Sequence, residues 1–189
     1  MCLIHRAASH CPWSRWSSQV PDYGAETAIR PRVMVLGVGN LLLSDDGVGV
    51  SVAQALAENP DRLPSGTTIM DGGTFGLDLA PHLRDVDRLV IVDAVAHGSH
   101  PGHIGVWRGE DVARLFGNPL SVHQVGVDAL LGALTLLGAV PPEVYVVGVE
   151  PDSVEPGVGL SEPVAEALPR LLDEVARAAT NPGSDSSPD

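Results

Sequence analysis

The sequence predicts an α/β protein of three layers, with helices on both faces of a mainly parallel, twisted sheet. Short apolar runs recur along the chain, as expected of strands buried on both faces of a sheet, and amphipathic segments follow most of them. The 189 residues suffice for one such domain. We place it at 32–178, between an N-terminal extension at 1–31 that we expect to be flexible and a disordered tail at 179–189.

Periodicity and chain breakers place the elements in order. Val48, Val52 and Leu56 recur every four residues, which predicts one face of a helix, and Pro60 ends that helix. Ser161 is a candidate N-cap for the last helix. The predicted strands are at 33–36, 67–70, 89–92, 104–107 and 144–149, and the helical segments at 48–56, 77–83, 127–137 and 164–175.

Acidic residues follow four of the predicted strands. Asp45 and Asp46 come in the loop after the first strand, Asp71 and Asp93 end the second and third, and Glu150 ends the fifth. Open α/β sheets bind ligands at the carboxyl ends of their parallel strands, and these ends meet at one edge. We therefore expect the carboxylates to lie along a common rim.

Charge and composition exclude several classes of protein. The chain carries 24 acidic residues against 11 basic ones, all of them arginine, and its net charge is −13. We therefore expect no nucleic-acid partner, because such binding needs a basic surface. The absence of lysine excludes a phosphate-loop lysine and Schiff-base chemistry. Both cysteines fall within 1–31, so the predicted domain has no thiolate zinc site and no cysteine nucleophile.

Hydropathy indicates a cytoplasmic protein without membrane insertion. The apolar runs have the length of strands, which is too short to span a bilayer. Residues 1–31 lack the uninterrupted apolar core of a signal peptide.

The stretch VLGVGNLLLSDDGVG at 35–49 opens like a dinucleotide-binding turn. Gly37 and Gly39 match the first two glycines of that turn, but Leu42 occupies the third position. Asp45 and Asp46 then stand where a phosphate would meet the helix N-terminus, and two anions oppose it. A nucleotide-binding α/β protein stays only as a minor alternative.

A divalent cation accounts for the carboxylates better. Asp46 and Asp93 supply oxygen ligands and His123, at the start of a predicted helix, supplies an imidazole nitrogen. Two oxygens and one nitrogen suit a borderline ion such as nickel or zinc. Taken alone, each of these residues is more often a helix cap, a turn residue or a surface residue than a metal ligand. Convergence on one rim favours the cation site.

Other catalytic and metal-binding patterns are weaker. His97, His100 and His103 in HGSHPGH form a rival metal set, but the intervening glycines and proline favour a solvated loop. No Gly-x-Ser-x-Gly or His-Glu-x-x-His motif occurs, and DGGT at 71–74 lacks the Asp-Thr or Asp-Ser pair of aspartic proteases. Any peptide hydrolysis would therefore use carboxylates, a metal or both.

Six motifs in order resemble those of the [NiFe]-hydrogenase maturation endopeptidases, and the match extends over about 32–178. The motifs are GVGNLLLSDDGVG at 37–49, DGGTFGLDL at 71–79, LVIVDAV at 89–95, SVHQVGVDALL at 121–131, VVGVEP at 146–151 and VGLSEPV at 158–164.

The resemblance implies an endopeptidase, neither of the serine nor of the cysteine type. Such an enzyme removes the C-terminal extension of a hydrogenase large-subunit precursor after nickel insertion and recognises the bound nickel. The three metal-contacting positions of the family match Asp46, Asp93 and His123, and the first of them is Asp here where Glu also occurs. The nickel is expected to arrive with the precursor, and zinc is another ion expected to fit.

Further residues of the matched motifs are expected to bind the precursor, the glycines because they allow close approach of its backbone. They are Gly39, Asn40, Asp71, Gly72, Gly73, Thr74, Gln124 and Glu150. Asp45 is expected to cap the following helix or to support Asp46. A non-enzymatic nickel-binding chaperone for the same precursor is the alternative function.

Overall fold

Five strands form one sheet in a computed structural model that describes residues 31–116 and 125–180. The strands are β1 (Val33–Val38), β2 (Thr68–Gly73), β3 (Arg88–Ala94), β4 (Ile104–Arg108) and β5 (Glu143–Val149). Their order is β2-β1-β3-β5-β4. All neighbouring pairs are parallel except β4 and β5, so the mainly parallel sheet is confirmed.

Helices cover both faces of this sheet. They are α1 (Val48–Glu58), α2 (Glu110–Phe116), α3 (Val125–Leu136) and α4 (Glu162–Thr180), with 3-10 helices at Ser44–Gly47, Pro60–Arg62 and Gly76–Leu83. The side chains of β1 alternate between two cores: Val33 and Val35 pack with α1 and α4, whereas Met34 and Leu36 pack with α3 and the 3-10 helix at Gly76–Leu83. Both cores are apolar, which explains why the strand runs show no polar alternation.

Several elements differ from their predicted bounds. β1 and β2 continue to Val38 and Gly73, because the glycines at their ends still pair with the neighbouring strand. The helical segment at 77–83 is a 3-10 helix from Gly76, and Pro81 lies inside it. α2 has no counterpart among the predicted elements.

Some predictions lie outside the described residues. Residues 1–30, 117–124 and 181–189 are not described, and with them most of the extension, most of the tail, and His123 and Gln124. Within the described ranges, no helix is both long enough and apolar enough to cross a membrane.

Two glycines bring α1 into direct contact with the sheet. A Cβ on Gly37 of β1 would lie 2.0 Å from the carbonyl oxygen of Gly49 in α1. A Cβ on Gly49 would lie 2.1 Å from the carbonyl oxygen of Val92 and 2.3 Å from that of Val38. Neither space admits a side chain, so these two glycines permit close packing of helix on strand. That packing fixes where the loop between β1 and α1 stands over the sheet.

We predict that Gly49→Ala lowers the free energy of unfolding by about 3 kcal/mol, because the added methyl group must push α1 away from the sheet. Gly132→Ala is the matched control. Gly132 lies in α3, where an added Cβ would meet no atom within 4 Å, and replacement there is expected to stabilise the chain by about 0.5–1 kcal/mol. Urea denaturation of both variants measures the effect. Similar changes in the two variants would contradict the packing argument.

Candidate active site

A small pocket lies at the carboxyl edge of the parallel strands and has a volume of about 130 Å³. Asp46 and Asp93 both line it, although 47 positions of chain separate them. Both side chains are buried, Asp46 in the 3-10 helix after β1 and Asp93 near the end of β3. The other lining residues are Val38, Gly39, Gly73, Thr74, Gly76, Leu79, Val127 and Leu130.

The environment of Asp93 disfavours its charged form. Burial raises the pKa of Asp93 well above its ordinary value, and the nearby carboxylates of Asp46 and Asp128 raise it further. The backbone N–H of Ala94 donates a hydrogen bond of 2.8 Å to Asp93 Oδ1 and partly opposes this rise in pKa. A positive charge in the pocket, either a proton or a cation, therefore relieves the repulsion.

The loop after β1 turns tightly around Asp46. The backbone N–H of Asn40 donates to Asp46 Oδ2 at 2.8 Å, and the backbone N–H of Gly39 donates to the carbonyl of Gly73 at 2.9 Å. Gly39 has a φ of 125°, and a Cβ there would lie 1.7 Å from the carbonyl oxygen of Asp46. Only glycine fits this position, which brings the first loop against the end of β2.

Asp45 does not cap the following helix, which was one of its two predicted roles. Its buried carboxylate accepts the backbone N–H groups of Asp152, Ser153 and Ser161 and the hydroxyl of Ser161, at 2.7–3.0 Å. No side chain caps the start of α1 at Gly47. The prediction that Asp45 caps this helix is wrong, because the loop after β5 offers it several donors. The hydroxyl of Ser161, the predicted cap of α4, likewise donates to Asp45.

The segment 71–74 borders the pocket. Asp71 is exposed, and its Oδ1 accepts the backbone N–H of Gly73 at 3.0 Å. Gly72 is buried against the Leu36 side chain, where a Cβ would approach to 2.7 Å. Gly73 and Thr74 line the pocket itself. Their predicted role as substrate contacts, like that of Asp71 and Gly72, stays a prediction.

Glu150 does not line the pocket. Its carboxylate accepts the backbone N–H groups of His97 and Ser99 at 2.8 and 3.1 Å, and it lies 3.0 Å from His97 Nδ1. Glu150 thus holds the loop between β3 and β4. Its predicted contact with the substrate stays a prediction.

The three histidines of that loop pack ring against ring. His103 lies 5.3 Å from His97 and 5.2 Å from His100 between ring centroids, and His97 lies 5.2 Å from Trp107. His100 and His103 are exposed, whereas His97 is half-buried. Among residues 31–116 and 125–180, no group of three or more His, Cys, Asp or Glu side chains is arranged to hold a metal.

α3 contributes one carboxylate that the sequence patterns did not single out. Asp128 has its pKa raised by burial, and its Oδ1 is buried without a hydrogen-bond partner in the described part of the chain. Its signal in the sequence is a lone charge between Val127 and Leu130, two residues that line the pocket. His123 and Gln124 precede this helix and lie outside the described residues, so their placement stays a prediction.

Comparison with known proteins identifies a family. The family model of the hydrogenase maturation proteases matches residues 50–178, which is more than half of the chain. The chain is 39% identical over 158 residues to the hydrogenase 2 maturation protease of Escherichia coli strain K12, covering 83% of this chain and 96% of that protein. It is 40% identical over 148 residues to the hydrogenase expression/formation protein HupM of Azotobacter chroococcum, covering 77% and 70% respectively.

Solved structures show the same fold. The hydrogenase maturating endopeptidase HybD from Escherichia coli superposes with a TM-score of 0.70 at 38% identity, covering 78% of this chain and 91% of that one. The [NiFe] hydrogenase maturation protease HybD from Thermococcus kodakarensis superposes with a TM-score of 0.65 at 27% identity, covering 79% and 99%.

The environment of Asp93 predicts that Asp93→Asn stabilises the metal-free protein at neutral pH. The pKa of Asp93 is higher in the folded chain than in the unfolded chain, so wild-type stability falls as pH rises from about 4. The amide has no such proton to lose. The Tm of the variant should match that of the wild type below about pH 4 and exceed it at pH 7. Each kcal/mol of added stability raises Tm by about 2–4 °C in a domain of this size.

Thermal unfolding across this pH range measures the difference between Asp93→Asn and wild type. Asp61→Asn, at an exposed position in Pro60–Arg62, is the control and should leave Tm unchanged. A variant less stable than the wild type at pH 7 would contradict the account of the pocket.

The contacts of Asp45 predict that Asp45→Asn lowers the free energy of unfolding by about 2–3 kcal/mol. An amide nitrogen cannot accept the N–H groups that now meet both carboxylate oxygens. Asp152→Asn changes an exposed carboxylate on the same loop and should have little effect. Equal free energies of unfolding of the two variants, measured by urea denaturation, would contradict the stabilising role of the Asp45 contacts.

Proposed function

Because the chain belongs to the hydrogenase maturation protease family, and is therefore an endopeptidase, we propose that it cuts the nickel-loaded precursor of a [NiFe]-hydrogenase large subunit. The cut removes the C-terminal extension of that precursor. One observation supports this proposal above the others: Asp46 and Asp93 share a pocket in which burial and mutual repulsion favour a bound cation.

The nickel is part of the substrate in this proposal. Asp46 and Asp93 would each offer a carboxylate oxygen and His123 an imidazole nitrogen, a donor set suited to nickel or zinc. Three protein ligands leave further coordination positions for the groups that hold the ion in the precursor. A precursor without nickel would meet two carboxylates and no cation, so the pocket would bind it poorly.

The rest of the pocket would position the peptide. Hydrolysis adds water across an amide bond, so the peptide must lie in a fixed orientation while one group takes a proton and another protonates the leaving nitrogen. Gly39 and Gly73 present bare backbone at the pocket wall, and Thr74 and Asp71 stand beside it with polar side chains. Asn40, Gly72, Gln124 and Glu150 complete the proposed set of substrate contacts.

Family membership favours this function over its alternatives. A non-enzymatic nickel chaperone would need the same cation site without the protease activity that characterises the family. A nucleotide would need a pocket of roughly 300–1,000 Å³, whereas the described pocket holds about 130 Å³. The cytoplasmic location and the absence of a nucleic-acid partner stay predictions.

The direct test incubates the purified chain with nickel-loaded and nickel-free precursor and measures cleavage by mass spectrometry. We expect only the loaded precursor to be shortened, because the cation completes the site. Equal cleavage of both forms would contradict nickel recognition. Binding without cleavage would favour the chaperone, and indifference to both forms would favour the nucleotide-binding alternative.

Three variants test the residues. Asp46→Asn, Asp93→Asn and His123→Ala should each lower kcat/KM for the loaded precursor by about a hundred-fold or more, because each removes one ligand of the cation. Asp46→Glu keeps the carboxylate and should retain most of the activity. Asp61→Asn is the distant control. Full activity of both Asp93→Asn and His123→Ala would overturn the assignment of the site.

A further inference from the structure

Five large apolar side chains are exposed on segments that border the pocket or are hydrogen-bonded to segments that border it. They are Leu41 (42% exposed), Leu42 (66%), Phe75 (65%), Leu77 (53%) and Val158 (87%), here named the apolar collar. Single exposed apolar residues are common on protein surfaces, but a cluster around a pocket marks a contact surface.

Backbone hydrogen bonds join the loops of the collar to one another and to the pocket. The N–H of Gly157, next to Val158, donates to the carbonyl of Leu42 at 3.0 Å. The N–H of Gly39 donates to the carbonyl of Gly73 at 2.9 Å, which ties the loop of Leu41 to that of Phe75. Gly39, Gly73 and Gly76 also line the pocket. The collar is therefore continuous with the site of Asp46 and Asp93.

The chain segments that carry the collar are acidic. The three segments that carry it, 39–47, 71–83 and 150–162, contain aspartates and glutamates but no arginine. Two of the arginines lie at the opposite edge of the sheet: Arg32 precedes β1, and Arg88 begins β3. Arg88 is itself buried, paired with the Glu143 carboxylate and donating to the carbonyl of Ala179. An acidic partner would be repelled from the collar.

We propose that the apolar collar docks the precursor segment next to the cut, and that this segment combines apolar side chains with a net positive charge. The inference rests on the proposed function. Contact with the collar removes apolar surface of both partners from water, and the acidic segments attract the positive charge of the incoming chain. Docking on the collar brings the adjoining peptide bond to the pocket of Asp46 and Asp93.

A second copy of this chain fits the collar less well. A symmetric dimer through this surface would place the same acidic segments against each other. Like charges facing each other across an interface oppose such a pairing. The precursor is therefore the proposed occupant, because its peptide bond has to reach the pocket that adjoins the collar.

The test is the double variant Leu42→Ser/Phe75→Ser, assayed on nickel-loaded precursor. Both side chains are mostly exposed, so the fold should persist, and circular dichroism checks this. We expect KM to rise about ten-fold while kcat changes less than about two-fold, because docking weakens and chemistry does not. Leu136→Ser/Leu137→Ser is the matched control, since these side chains are 90% and 73% exposed at the far end of α3, and its KM should be unchanged.

A charge variant tests the second half of the proposal. Asp78→Arg, at an exposed position beside Phe75, should raise KM, and KM of the wild type should rise with salt because the attraction is screened. Asp61→Arg, outside the collar segments, is the control.

The outcomes separate this inference from the proposed function. If the wild type cuts loaded precursor while both collar variants keep its KM, the collar inference is overturned and the proposed function stands. If the wild type cuts neither form of the precursor, the proposed function is overturned, and with it the inference that rests on it. A wild-type dimer that the Leu42→Ser/Phe75→Ser variant converts to monomer in sedimentation would assign the collar to self-association, which also overturns the inference.

Discussion

Two buried carboxylates that repel each other are the constraint on which this structure depends. Asp46 and Asp93 share one small pocket, and burial removes the water that would otherwise screen their charges. The free site therefore favours the binding of positive charge. The same burial and repulsion raise the pKa of Asp93. A substrate that carries a cation relieves the repulsion, whereas a substrate without one does not. The proposed selectivity for a loaded substrate rests on this single feature.

Close contacts in the described part of the chain keep the repelling groups together. Close packing at Gly37 and Gly49 fixes the position of α1, and with it the loop that carries Asp46. Asp45 ties this loop to the segment after β5 through four hydrogen bonds. Asp93 is held within the paired length of β3. These contacts hold Asp46 and Asp93 in one pocket, where a cation or a proton relieves the repulsion.

Much of this arrangement is visible in the sequence, because apolar strand runs show where each strand ends and parallel pairing brings those ends to one edge. The meeting of Asp46 and Asp93 at one edge of the sheet was predictable on that basis. The hydrogen-bond partners of Asp45 were not, since they lie more than a hundred residues away and leave no local pattern. Glu150 follows a strand as predicted, yet its carboxylate is engaged by the loop at 97–99. The ends of the strands therefore predict which residues lie at the edge of the sheet, but not the direction in which each side chain points.

Anomalous diffraction from crystals soaked in a nickel salt tests the central claim most directly. The account predicts one strong peak at the nickel absorption edge, about 2 Å from a carboxylate oxygen of Asp46 and one of Asp93, with the His123 imidazole as a third ligand. A peak among His97, His100 and His103 instead, with Asp46 and Asp93 unliganded, would contradict it. So would a pocket that binds no ion while the His123 ring points away from both aspartates.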